Sequence, residues 1–187
     1  MEFFAGILPG ILDLPNIHPL FVHFPIALLC GFLLLEALGA IMDKKCLRST
    51  ASAMLYLGTL ATIVTFASGL AAAGSVGHDK IVHEVMTCHK SFALGVLILS
   101  IILSVWRIAV GERFSTFWRT IHFIVGIIMI VFLFMAADKG GTMVYKYGVG
   151  VQAVQTTGDH AHSGAEASDQ QDDGHHAGGD TGAAHGH

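Results

Sequence analysis

Four stretches of the chain are apolar over the length needed to cross a bilayer, and short polar connections separate them. They cover residues 19–42, 50–73, 88–110 and 117–137. A bilayer core takes about 20 apolar residues in a helix. Inside lipid the backbone must satisfy its own hydrogen bonds, so each stretch is predicted to be helical. The connections at 43–49, 74–87 and 111–116 are short, which predicts an antiparallel up-and-down packing. The fold class is therefore all-α: an integral membrane four-helix bundle. Residues 17–155 form this four-span domain. Residues 1–16 precede it and carry Phe3, Phe4, Ile7, Leu8, Ile11 and Leu12 beside Glu2 and Pro9. With no basic n-region they predict a short interfacial segment, not a cleavable signal peptide.

Within the spans the pattern has two irregularities. The second span repeats small residues every four positions, Ala61, Thr65, Gly69 and Ala73, with Gly58 and Thr62 nearby. Such a stripe lets another helix approach closely. In the first span Pro25 lacks a backbone donor, so the backbone near Phe21 needs a partner from elsewhere. Gly140-Gly141, after the last apolar run, reads as a helix stop.

Composition supports the membrane reading. Mean hydropathy is +0.63 and 13% of residues are charged, against about 25% in soluble domains. Charge is divided unevenly. Residues 1–155 hold all ten Lys and Arg and eight acids, a formal +2; residues 156–187 hold the remaining six acids and no Lys, Arg or aromatic residue, a formal −6. That tail, rich in Gly, Ala, His, Asp and Ser, is too polar to fold alone and is predicted to be disordered. Its six histidines, His160, His162, His175, His176, His185 and His187, suit weak capture of Zn, Cu or Ni. Nucleic-acid binding is not expected of such charges.

Lys44, Lys45 and Arg48 flank the first connection, and Arg107, Arg113 and Arg119 the third. Their excess over the four lysines on the other side predicts that this end is cytoplasmic. Both termini and the tail then lie outside the cytoplasm, in a multi-pass protein of a bacterial inner membrane. Cys46 and Cys88 fall on opposite sides and Cys30 inside a span, so no disulfide is expected.

Ionisable residues in spans are costly and so are functional candidates. Counting back a span length from Arg107 brings His89 near the outer hydrocarbon edge, level with His23 of the first span. His83 lies about 9 Å farther out at 1.5 Å per residue. His18 and His78 fall at or beyond the membrane surface. Toward the cytoplasm, Glu36 and His122 share a depth, which suits a hydrogen-bonded pair or a proton relay.

The segment from Ile17 to Leu29, IHPLFVHFPIALL, resembles the opening signature of a bacterial membrane family. So does Gly140 to Val151, GGTMVYKYGVGV, after the last span. Together they resemble the domain-of-unknown-function family 2231, over about residues 15–155. The resemblance implies a four-span topology and no particular activity.

Three functional readings follow. The first is a b-type cytochrome-like electron-transfer module, with haem b held by two imidazoles from facing helices. His23 and His89 are the first pair, His83 the substitute for His89, and Lys90 a partner for a haem propionate. No CxxCH occurs, so covalent attachment is not expected. Such a module exchanges electrons with a quinol, a redox partner or a larger membrane complex. The second is a divalent-metal-handling protein using His18, His23, His83 and His89 with the tail. The third is a non-catalytic accessory subunit. Serine-hydrolase and HExxH signatures are missing, so a hydrolytic enzyme is not expected.

Overall fold

The computed structural model describes residues 17–74, 80–111 and 115–150. The expectations for residues 1–16 and for the tail lie outside these residues. Four helices make up the described chain: α1 (His18–Ile41), α2 (Lys45–Ala73), α3 (Lys80–Val110) and α4 (Thr116–Tyr147). All four are long and apolar enough to cross a membrane. Each packs on its sequence neighbour, α1 along α2 and α3 along α4 most extensively. Contacts of α2 with α3 and of α4 with α1 close the ring, and α1 stands diagonally across from α3.

The bundle is apolar outside as well as inside. Leu34, Leu60, Val105 and Phe134 are more than half exposed on its flanks. Water would penalise that surface and hydrocarbon accepts it. Leu29, Phe32, Leu55, Leu103 and Met129 are fully buried at the centre. Small polar side chains also point inward. Thr59 of α2 donates to Leu55 O at 2.9 Å and lies 2.8 Å from Ser104 Oγ of α3. Hydroxyl contacts of this kind join helices where the surrounding solvent is lipid.

The small residues of α2 line its seam with α1. A Cβ on Gly58 would stand 2.7 Å from Leu29 Cδ2. Thr65 Oγ1 donates to Phe21 O at 3.1 Å. That carbonyl is the acceptor orphaned by Pro25, and α1 runs unbroken through the proline. The two irregularities of the sequence thus answer one another.

Helix bounds differ from expectation at one end of the bundle. Helix α3 begins at Lys80, eight residues before its apolar run, and α4 continues through Gly140 and Gly141 to Tyr147. Gly148, at φ 64°, is the actual terminus; its N–H donates to Val144 O at 3.1 Å. A left-handed residue at that point is the usual helix end. Neither Gly140 nor Gly141 takes a positive φ, so the helix passes through both.

Candidate functional site

At the end where α1 and α3 begin, two imidazoles meet across the diagonal of the ring. His18 opens α1, and His89 lies in the third turn of α3. Their ring centres are 6.4 Å apart and their planes cross at 85°. Each ring is anchored by the helix beside it. His18 Nδ1 donates to Thr65 O at 3.1 Å, with Ser68 Oγ also at 3.1 Å. Ser68 in turn donates to Thr65 O at 2.8 Å. His89 Nδ1 donates to Ala136 O of α4 at 2.8 Å.

These bonds decide the tautomer. A carbonyl oxygen only accepts, so both Nδ1 atoms carry the proton. In the neutral ring Nε2 then keeps its lone pair, which is how metal-binding histidines are usually oriented. Gly69 makes the space for His18: a Cβ there would lie 2.9 Å from His18 Cε1, whereas one on Gly140 would meet His89 Cε1 at an ordinary contact distance of 3.4 Å. All four helices therefore contribute, α1 and α3 by an imidazole, α2 by a carbonyl and a glycine, and α4 by a carbonyl.

The expected pairing of His23 with His89 is not what the structure brings together. His23 is exposed, with Nδ1 donating to Pro19 O at 3.1 Å on its own helix. It follows His18 by five residues, about 140° around a helix of 3.6 residues per turn. When His18 points into the bundle, His23 points out of it. His83, six residues before His89, is likewise exposed on another face of α3. The fourfold metal group of His18, His23, His83 and His89 is therefore not assembled. Among the described residues no group of three or more His, Cys, Asp or Glu side chains is placed to hold a metal ion. Lys90 is half-buried next to His89. Met86, one turn before His89, is buried.

The pair could offer two imidazole donors to one metal centre. Metal–imidazole bonds of about 2 Å, extended by the ring radii, put the two ring centres roughly 6 Å apart. A lone Zn or Cu ion normally wants three or four protein ligands. Iron in a porphyrin, already held by four ring nitrogens, takes one or two.

The opposite end carries the charge. Glu36 is buried, and its Oε2 lies 2.8 Å from Arg107 Nη2. Arg107 also donates from Nε to Ser52 Oγ at 2.9 Å and from Nη2 to Arg48 O at 3.1 Å. His122 is buried, donates from Nε2 to Leu103 O at 3.2 Å, and packs edge-on against Phe32 and Trp106. Glu36 and His122 line one cavity, as their matched depths predict. The ion partner of Glu36 is Arg107, which the sequence shows as a hydrocarbon-edge residue and one of the basic residues of this end. The signal for it was available: Arg107 sits at the depth of Glu36 and is a charge that lipid would not accept.

His89 and Arg107 stand eighteen residues apart on α3, about 27 Å along a helix. That is close to the hydrocarbon thickness of a bilayer, about 30 Å. The two clusters therefore lie near opposite membrane faces.

The fold and its lipid-compatible surface define a four-span integral membrane bundle with a paired-histidine end and a basic end. Within that class, the chain belongs to DUF2231, a family of predicted membrane proteins, whose model matches residues 14–153. Comparison with curated proteins and with solved structures gives no match.

Proposed function

We propose that the protein is a membrane-embedded b-type haem module for electron transfer, in which His18 and His89 would hold the haem iron. The observation that carries this reading is the inward pair itself: two imidazoles 6.4 Å apart, each Nδ1 tied to a backbone carbonyl of a neighbouring helix. Anchoring from outside the ligand pair fixes ring orientation and leaves Nε2 as the donor atom. Bound haem supplies one-electron exchange. The chain's own part is to hold both rings, to surround the site with apolar helices, and to offer the Lys90 ammonium for a propionate.

Basic residues at the far end favour a cytoplasmic position for that end and an extracytoplasmic position for the histidine end. Electrons then pass between a quinol or membrane partner and an acceptor outside the cytoplasm. The absorption spectrum of protein purified from haem-replete cells tests the reading. A Soret band that sharpens and shifts on dithionite reduction is expected. A colourless preparation that also fails to take up added haemin contradicts it.

A further inference from the structure

The basic end carries chemistry that the histidine pair does not use. A cavity of about 310 Å³ opens there, lined by Lys45, Arg48, Arg107 and Arg119 together with Ser49 and Tyr56. Among the described residues the lining has one carboxylate, Glu36, and Arg107 holds it. Arg107 is further committed to Ser52 and Arg48 O. The remaining cations are not neutralised in this way. Lys45 and Arg119 have no ion-pair partner among the described residues. Arg48 reaches the exposed Asp43 through Nη2 at 3.2 Å, while its Nε is buried without a hydrogen-bond partner.

A buried donor lacking an acceptor is unfavourable, and more so when the group is charged. A concave site with surplus guanidinium charge is complementary to an oxyanion. Guanidinium groups bind phosphate in a forked geometry, and serine and tyrosine hydroxyls add donors. Depth adds to the argument. Trp106 and Trp118 pack at 5.9 Å beside this end, and Trp118 and Phe117 are half or more exposed on its flank. Tryptophans at a bundle end mark the headgroup layer.

We infer that the cavity between Arg48, Arg119 and Lys45 binds a phosphoryl group, carried by an anionic phospholipid headgroup or by a free phosphate. The site is separate from the histidine pair and does not depend on haem.

The test uses the full-length protein. In one arm, inorganic phosphate is titrated calorimetrically into the protein in a zwitterionic detergent. In the other, nanodiscs of phosphatidylcholine with or without phosphatidylglycerol are used, and lipid retained on release is read by native mass spectrometry. Saturable binding at one site per chain is expected in at least one arm. Arg119→Gln is expected to weaken it about tenfold, the value of one charge-assisted bond, with partial rescue by Arg119→Lys. Binding in the first arm assigns a free phosphate; selective retention of phosphatidylglycerol alone assigns a headgroup. Lys45→Gln, changed at an exposed position at the start of α2, carries the test if Arg119→Gln does not fold. No saturable binding of either probe overturns the inference, as does wild-type binding by the folded variants.

Discussion

The Glu36 carboxylate of α1 and the Arg107 guanidinium of α3 form an ion pair at 2.8 Å across the diagonal of the bundle, with side-chain exposures of 4% and 12%. No backbone contact joins these two helices directly, so this pair is one of the ties between the α1–α2 and α3–α4 halves. Removing one partner of a buried pair strands the other charge. Glu36→Ala is expected to destabilise the bundle by about 3 kcal/mol, at the low end for such pairs because Ser52 and Arg48 O still hold Arg107. Glu36→Gln should lose less. Unfolding of the detergent-solubilised variants by a denaturing detergent measures this, and equal stability of wild type and Glu36→Ala would refute it.

Close approach of α1 and α2 depends on Gly58 more than on Gly31. A Cβ at Gly58 meets the fully buried Leu29 at 2.7 Å and Leu28 Cβ at 3.3 Å, whereas one at Gly31 meets only the sulfur and methyl of Met54. Leu29 has nowhere to move, and the Met54 chain end can swing aside. Gly58→Ala should therefore cost about 1–3 kcal/mol, and Gly31→Ala much less. Parallel unfolding curves for the two variants check the ranking.

Thr65 supplies the donor that Pro25 removes from the α1 ladder. Thr65→Val keeps the shape and the Thr65 carbonyl that anchors His18, but leaves Phe21 O without its hydroxyl. A loss of about 1 kcal/mol is expected, with little change at the histidine pair. If the variant lost its cofactor spectrum while remaining folded, the division of labour described for this residue would be wrong.

Gly69→Ala acts at the site instead. Its new Cβ would press on His18 Cε1 at 2.9 Å and Nδ1 at 3.2 Å. The ring must turn away from Thr65 O, and its Nε2 with it. Weaker haem retention and a shifted reduction potential are expected, with helix content unchanged by circular dichroism.

Much of this architecture was legible from the sequence, and what was missed has a common cause. Four spans follow from apolar run length alone, because lipid enforces it. The need for a partner at Phe21 followed from Pro25, and the small-residue stripe carried that partner in Thr65. Depth was read correctly for Glu36 and His122. Rotational phase was not: His23 matched His89 in depth, but α1 turns it outward and turns His18 in. Helix ends were underestimated where polar residues such as Glu84 and Asp138 continue a helix past the hydrocarbon. Gly140-Gly141 read as a stop because paired glycines favour one, whereas the left-handed residue that ends the helix is Gly148.

The most direct measurement is the low-temperature electron paramagnetic resonance spectrum of the oxidised, haem-reconstituted protein and three single variants. Wild type and His23→Ala are expected to give the same low-spin signal of two imidazole ligands. His18→Ala and His89→Ala should each lose it, giving high-spin or haem-free protein with helix content retained. Loss of the signal in His23→Ala with retention in His18→Ala would contradict the account.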